Sequence, residues 1–408
     1  MAQLPRIYPN LLSAVIDALQ SIFSKKELAD VVVERTLRSD ARWGARDRRW
    51  IAEEIYYAVR NYRALYELLG DEPSTIQHWY QLVGVGTWLR FGEIPAHIPQ
   101  WQKLNTALLA QNWEELKENR VVLHSFPDWL DEEAVAQMGE ELWNALLPSL
   151  NEPAPLILRV NKLKKTLREV QEGLERHNIV TNAVENCQNA LEVEGRPKLV
   201  SLEPYKRGWF EIQDTASQQV SLILQPQPNE IVIDTCAGAG GKSLHMAALM
   251  QNKGKIYAMD VEAAKLEETE KRAERAGVKI IETRLIKSPF SYAELMGKAD
   301  KVLIDAPCSG MGTIRRSADL KWKLTKERLA EITALQTKIF QDYALLVKVG
   351  GTVAYATCSI MPSENQDQVT KFLASEVGQK FELLQDKTFY PHIDKTDGFY
   401  VALLKRIK

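Results

Sequence analysis

From Asp214 onward the chain alternates short apolar runs, glycine-rich turns and amphipathic stretches. This rhythm restricts the fold more than any other feature. Strands are predicted at Ile231–Asp234, Lys255–Asp260, 278–281, 301–305 and 351–357. Before the last of these, Leu329, Ile332, Leu335, Ile339, Tyr343 and Leu346 recur at helical spacing. Strands joined through helices pair in parallel, and a parallel sheet needs cover on both faces. Residues 213–408 are therefore expected to form an α/β, Rossmann-like domain. Segments 381–384 and 398–404 add an antiparallel C-terminal edge, which the plain dinucleotide fold lacks.

The rest of the chain has a different texture. Residues 1–150 read as an all-helical domain: Leu12, Val15, Ile16, Leu19, Ile22 and Phe23 share helical spacing, as do Ile51, Ile55, Val59, Tyr62, Leu65 and Leu69. Between them, "RTLRSDARWGARDRRW" gathers Arg35, Arg38, Arg42, Arg46, Arg48 and Arg49, either a solvated basic face or an RNA-backbone contact. Pro153 and Pro155 end the helices, and residues 151–212 read as a small α+β, RRM-like unit. Its expected parts are a strand at 156–161, a helix at 166–177 with Leu167, Val170 and Leu174 on one face, and strand-like pieces at 190–193 and 198–202.

A chain of 408 residues, 45% of them hydrophobic, is long enough for two or three domains with real cores. Its 52 Lys and Arg nearly balance 54 Asp and Glu, so no global basic field advertises nucleic acid, and any such surface must be local. The first residues lack the charged head and apolar stretch of an export signal, and no apolar run reaches membrane length. A cytoplasmic monomer is the expectation. Cys187, Cys236, Cys308 and Cys358 show no C-x-x-C spacing, which argues against a zinc knuckle or a disulfide framework, so no metal is expected.

"DTCAGAGGKSLH" follows the first predicted strand of the α/β part. It misses the Walker A pattern because Cys236 stands where the first glycine belongs, and misses G-x-G-x-x-G because Ser243 stands at the last. Gly238, Gly240 and Gly241 still let backbone approach a ligand closely, and Asp260 closes the next strand, where an acidic side chain can accept from ribose hydroxyls. Both a nicotinamide dinucleotide and S-adenosylmethionine carry such a ribose. A dehydrogenase would also need a hydride-transfer acid or base and a fuller glycine motif, and neither is found.

Two later strands finish "VLIDAPCSGMGTIRR" and "VAYATCSIMPSENQ", each placing a cysteine just past its carboxyl end. In a parallel sheet Cys308, Cys358 and the glycine loop share one edge. Ser363 and Gln366 stand at capping-box spacing, predicting a helix start there. Cys236 reads as a packing residue, and Cys187, in "VENCQN", carries no chemical signal. Thiolate, carboxylic acid and ribose-bearing cofactor together suit pyrimidine carbon-5 methylation. Carbon-5 is a poor nucleophile until a thiolate adds at carbon-6, and an acid near N3 stabilises the charge that develops.

At these residues the chain resembles the RsmB/Nop/Sun family of S-adenosylmethionine-dependent RNA cytosine-C5 methyltransferases, most closely its bacterial RsmB type, which acts on 16S rRNA. "DTCAGAGGK", "DAPCSGMGTIRRSADLKW" and "ATCSIMPSENQ" match the family's cofactor loop and two cysteine motifs in order, and "PLILRVN" and "KRGWFEIQDTASQ" resemble its entry segments. The likeness runs from about residue 128 to the end, and the N-terminal helices are similar in character to the family's NusB-like RNA-binding domain. The resemblance implies a class I methyltransferase fold of seven strands. It implies Cys358 as nucleophile, Cys308 as an aid to release, and Asp305 in contact with both the base and the cofactor. Cys236, Ala237, Gly238, Ala239, Gly240, Gly241 and Lys242 would cradle the methionine part of S-adenosyl-L-methionine, with Asp260 on its ribose and Lys242 also facing RNA. Arg159, Arg315, Arg316 and Lys321 are expected to meet phosphates, and Trp322 to stack or pack. Two positions depart from the family: Ala239 replaces a usual proline, and Ile286 stands where an aspartate usually meets adenine, which leaves backbone or Ser288 for that contact. The implied partner is rRNA with a single-stranded or looped cytosine. Rival readings are a tRNA enzyme, a DNA-type enzyme attacking through Cys308, and a non-catalytic RNA-binding assembly factor.

Overall fold

Seven strands form the sheet that carries the second half of the chain. A computed structural model describes residues 6–408. They divide into two units: the described residues up to Glu152 with Ile314–Lys326, and Pro153–Thr313 with Glu327–Lys408. In the second unit a four-stranded antiparallel sheet comprises β1 (Leu156–Val160), β2 (Thr181–Ala183), β3 (Ala190–Val193) and β4 (Phe210–Ile212), in the order β2-β3-β1-β4. Leu158, Val160, Leu191, Val193 and Phe210 face the helix Leu167–Glu175, whose Val170 and Leu174 complete the core. That helix begins with a capping box between Thr166 and Glu169. The strand expected at 198–202 is instead a single 3-10 turn, because Ser201 turns its hydroxyl back onto the Lys198 carbonyl.

The large sheet comprises β5 (Ile231–Asp234), β6 (Lys255–Asp260), β7 (Ile281–Leu285), β8 (Ala299–Asp305), β9 (Val347–Thr357), β10 (Phe381–Phe389) and β11 (Phe399–Arg406). Its order is β10-β11-β9-β8-β5-β6-β7, parallel from β7 through β9 and antiparallel at β11 and β10. Val232, Ile233, Ile256, Ala258, Val302, Leu303, Val353 and Ala354 are essentially inaccessible, as strands covered on both faces must be. β7 lies a few residues later than its apolar run suggests. The helix before it runs only to Ala276 and closes on the left-handed Gly277, after which residues 278–280 connect.

The first unit is helical. Pro9–Phe23 buries Leu12, Val15, Ile16, Leu19 and Ile22 along one face. The periodicity from Ile51 to Leu69 is divided into helices Ala45–Arg60 and Tyr62–Leu69, broken at Asn61, whose amide nitrogen donates to the Tyr57 carbonyl. Within the arginine-rich segment, Arg48 donates to the carbonyls of Leu37, Asp40 and Trp43, while Arg35, Arg38, Arg42 and Arg49 pair with Glu27, Glu34, Asp40 and Glu53. Arg38, Arg42 and Arg49 remain exposed in these pairs. No helix among the described residues is long and apolar enough to cross a membrane.

Residues Ile314–Lys326 cluster with these helices rather than with the sheet that precedes them in sequence. The span 213–408 is thus not one continuous body. Ala318 joins the helical core, and Trp322 donates to the Val59 carbonyl at 2.7 Å with its ring edge-on to Tyr62. Lys321, fully buried, donates to Arg60 O (2.8 Å), Asn151 Oδ1 (3.0 Å) and His124 O (3.3 Å). Burial, with Arg60 beside it, pushes its pKa well below the usual lysine value. Lys321→Ala strips three acceptors of their donor and leaves a hole, a loss of about 2–4 kcal/mol. Scanning calorimetry of the full chain is expected to show that drop, and a loss below about 1 kcal/mol would mean that water replaces the ammonium there.

Candidate active site

From β5 the chain runs outward through β6 to β7 and then crosses back to β8 on the other side of β5, so the strand order reverses there and a ligand crevice opens at the carboxyl end of β5. The loop there is held from several sides. Thr235 Oγ1 donates to Leu303 O (3.0 Å), Ala237 N to Met259 O (2.9 Å) and Gly240 N to Ala237 O (2.9 Å). The carbonyls of Gly238, Ala239 and Gly241 accept from Thr269 Oγ1, Arg272 and Arg159, at 3.0, 2.6 and 2.6 Å. Gly238 and Gly240 sit at φ +54° and +79°. Asp260, nearly buried, accepts from Gly238 N (2.8 Å) on one oxygen and Glu262 N (2.9 Å) on the other, which leaves each oxygen a further lone pair.

Asp234 ends β5 fully buried. Its Oδ2 accepts from Ser243 Oγ at 2.6 Å, while Oδ1 has no hydrogen-bond partner. Burial pushes this carboxyl up to about 7 in spite of the Ser243 bond. Nearby, the Lys242 ammonium meets Asp305 Oδ2 at 2.6 Å and lies over the Phe399 ring, 5.1 Å from its centroid. Burial works against the charge on Lys242, but Asp305 outweighs it, and its pKa rises. Cys358 is close enough for its charge to favour the ammonium too.

Asp305 is paired with Ala356 in the parallel ladder, so the loops leaving β8 and β9 start side by side. They bring Cys308 Sγ within 3.1 Å of Cys358 Sγ, neither in a disulfide. The hydrogen bond to Cys358, and then burial, push the Cys308 thiol well up. Gly312 N donates to Cys358 O (2.9 Å) and Gly398 N to Gly312 O (2.8 Å), which draws the start of β11 onto both cysteine loops. An added Cβ on Gly312 would lie 1.9 Å from the Gly398 carbonyl, so only glycine permits this approach. Burial pushes the thiols of Cys236 and Cys187 up as well; Cys187 packs against Gln218, remote from this chemistry.

Three positions expected to meet phosphate are buried instead. Arg159 is 3% exposed and commits its guanidinium to Gln213 Oε1 and the Gly241 carbonyl, bracing the glycine loop from β1. Lys321 is fully buried among the helices, and Arg315 is 8% exposed. Arg316 alone of the expected arginines is partly exposed. No capping box forms at Ser363 and Gln366. Pro362–Glu364 is a 3-10 turn, and the helix Gln366–Leu373 follows Asn365. The motif reading also passed over Asp234, visible only as the acid that ends an apolar strand, and Glu364. The signal for Glu364 was a carboxylate and an amide, "EN", just beyond a catalytic-type cysteine.

This sheet order, with an antiparallel hairpin against β9, is that of Rossmann-like methyltransferases, and it extends to solved proteins. The crystal structure of PH0851 superposes with a TM-score of 0.83 over 99% of this chain and 100% of that one, at 25% identity. A methyltransferase homolog from Pyrococcus horikoshii gives 0.61 over 70% of this chain and 97% of its own, at 26% identity. A family model described as 16S rRNA methyltransferase RsmB/F matches residues 221–405, and one for the RsmF/B-like ferredoxin-like domain matches 126–199. A probable ribosomal RNA small subunit methyltransferase B of Synechocystis is 32% identical over 95% of this chain and 97% of its own. The chain belongs to the RsmB/F family and is an RNA methyltransferase.

The glycine loop makes a graded prediction. A Cβ on Gly240 would meet Thr269 Cγ2 at 2.6 Å, whereas one on Gly238 has open space, although both positions have positive φ. Gly238→Ala is expected to cost about 1–2 kcal/mol from backbone strain alone. Gly240→Ala adds a clash that displaces Thr269 from the Gly238 carbonyl, for a total of about 2–4 kcal/mol. Denaturant unfolding checks the order, and equal losses would show that Thr269 does not constrain the loop.

Proposed function

We propose that this chain transfers a methyl group from S-adenosylmethionine to carbon-5 of a cytosine in small-subunit rRNA, through a covalent bond between Cys358 and carbon-6 of the base. The observation that carries the reading is the pair of thiols 3.1 Å apart beside the Lys242–Asp305 ion pair, at the carboxyl edge of the sheet. The residues fit the cofactor. Asp234 Oδ1 is a buried acceptor awaiting a donor, of the kind an amino-acid ammonium supplies. Cys236 to Lys242 would hold the methionine part, Asp260 has lone pairs to spare for ribose, and Asp305 would border both cofactor and base. When bound, S-adenosylmethionine supplies an electrophilic methyl group.

The protein's own steps follow from its charges. Cys358 would attack as a thiolate, and its charge and that of the Lys242 ammonium lie close enough to interact. That thiolate adds to carbon-6, and the electron pair pushed onto the ring makes carbon-5 nucleophilic, while Lys242 and Asp305 steady charge along the base edge. After transfer a water molecule takes the carbon-5 proton, its electron pair re-forms the carbon-5–carbon-6 double bond, the carbon–sulfur bond breaks and Cys358 departs as thiolate. Cys308, in contact with the departing sulfur and itself held as a thiol, assists that expulsion. Adenine would not find the Ile286 amide, which already donates to Asp260 O, nor the Ser288 amide, which donates to Ser291; exposed Val261 and Phe290 offer apolar surface at that end instead. The helical unit is proposed to dock RNA through Arg38, Arg42 and Arg49, since exposed ion pairs are worth only about 0–1 kcal/mol and exchange readily for phosphates.

Incubation with cofactor and a 16S rRNA transcript separates the two thiols. Cys358→Ala is expected to abolish both methylation and adduct, and Cys308→Ala to leave a covalent protein–RNA adduct that resists denaturation. If Cys308→Ala alone abolished the adduct, the attacking thiol would be Cys308, as in DNA-type enzymes. A second expectation concerns pH. Asp234 holds a proton below about pH 7 in the free protein, and pairing with an ammonium requires its release. Cofactor affinity should therefore fall as pH drops below that value, by up to about tenfold per unit. Calorimetric titration at about pH 6 and about pH 7 reads this directly. Asp234→Asn should flatten the dependence, and an unchanged slope in that variant would assign it elsewhere.

A further inference from the structure

Glu364 has no accessible surface. Its Oε1 accepts from Ser309 N (2.7 Å) and Gln336 Nε2 (3.1 Å), and its Oε2 from Ser309 Oγ (2.5 Å) and Ser359 Oγ. Ser309 directly follows Cys308, and Ser359 directly follows Cys358. One carboxylate thus grips the residue beside each thiol, and the two serine hydroxyls lie 3.3 Å apart across it. The grip is itself anchored. Tyr355 OH donates to Glu364 O (2.8 Å), Gln336 also donates to Pro307 O (2.9 Å), and Met311 N and Met361 N donate to the two serine hydroxyls (3.3 and 3.1 Å).

Burying a carboxylate costs several kcal/mol unless its lone pairs are filled, and an apolar side chain would fill this volume without that cost. Four donors converge here, all from the two cysteine loops and the helix behind them. What a carboxylate supplies and an apolar residue does not is a fixed distance between those loops. We propose that Glu364 is a positioning residue: through Ser309 and Ser359 it sets the separation of the Cys308 and Cys358 thiols, and thereby the balance between methyl transfer and release of the RNA. This inference rests on the two-thiol reading above. Gln336 and Tyr355 hold Glu364, and Glu364 holds the thiols.

The test uses full-length protein and a readout of thiol separation that does not need RNA. Phenylarsenoxide bridges two neighbouring thiols: two arsenic–sulfur bonds form, and the arsenic-bound oxygen leaves as water with both thiol protons. Intact-mass measurement should show rapid bridging in the unaltered protein and none in Cys308→Ala or Cys358→Ala. In Glu364→Gln, whose amide turns donors toward donors, bridging should slow about tenfold or more. Methylation of a 16S rRNA transcript should fall about 100-fold in kcat, as a misplacement near 1 Å does, with KM for RNA and calorimetric Kd for S-adenosylmethionine within about twofold. Ser359→Ala loosens the grip on the Cys358 side alone and should show a smaller loss of the same kind. Should Glu364→Gln fail to fold, Ser359→Ala decides.

Bridging at the unaltered rate in a folded Glu364→Gln protein overturns the proposal, as does a loss of turnover matched by loss of cofactor binding. Unaltered bridging and turnover in Ser359→Ala does so equally where Glu364→Gln does not fold. If the unaltered protein forms no adduct with a 5-fluorocytosine transcript, the covalent reading fails by itself. The arsenical measurement then still tells whether Glu364 sets the thiol distance.

Discussion

Parallel pairing of β8 with β9 puts Asp305 opposite Ala356, and the two-thiol chemistry proposed above depends on that register. Cys308 lies three residues beyond one partner and Cys358 two beyond the other, so the two thiols meet only if the strands end level. A slip of one residue would carry Asp305 to the other face of the sheet and part the sulfurs by a strand step of roughly 3.3 Å. The register is secured where the strands are most deeply buried, at Val302, Leu303, Val353 and Ala354. Past the strand ends, where no ladder operates, it is carried on by Gly312 N on Cys358 O and by Glu364.

The same edge concentrates charge that a core would ordinarily exclude. Asp234, Lys242, Asp260, Glu364 and Arg159 are all buried or nearly so. Asp260, Lys242, Glu364 and Arg159 each have hydrogen-bond or ion-pair partners among their neighbours. Such an arrangement spends stability on definition of position, since a satisfied buried ion holds its partners more sharply than apolar packing does. Asp234 is the exception, satisfied by Ser243 on one oxygen only, and its other oxygen is the acceptor assigned to the proposed cofactor.

Much of this was legible in the sequence, and what was illegible shares a cause. Strand ends could be read because apolar runs stop at Asp234, Asp260, Asp305 and Thr357, and the cysteine loops follow directly. The glycine loop could be read because its spacing is local. Arg159 and Lys321 were misassigned to phosphate because a basic residue beside a motif looks the same whether its partners are phosphates or carbonyls from distant segments. Lys321 finds its acceptors at Arg60, His124 and Asn151, 170 to 261 residues away in sequence. Nothing in "RRSADLKW" announces that the chain leaves one unit for the other there. Glu364 escaped notice for the same reason, its four donors coming from Ser309, Gln336 and Ser359 on three separate segments. The capping box at Ser363 was a local pattern overridden by Glu364, whose burial turns the segment into a 3-10 turn before the helix starts.

The near-miss of the loop to both nucleotide motifs now has a physical account. A phosphate cradle works by leaving backbone N–H groups free to converge on an anion. In this loop the amides of Ala237, Gly238 and Gly240 are already spent on Met259, Asp260 and Ala237. Its carbonyls are spent on Thr269, Arg272 and Arg159, and its lysine is turned away to Asp305. The loop is thus held by its own hydrogen bonds, while Asp234 Oδ1 is left without a partner. An unfilled carboxyl oxygen suits the ammonium of the proposed cofactor better than a phosphate. The substitution of Ala239 for proline costs little stiffness here, because the Arg272 hydrogen bond on the Ala239 carbonyl fixes by contact what a proline ring would fix by covalent constraint.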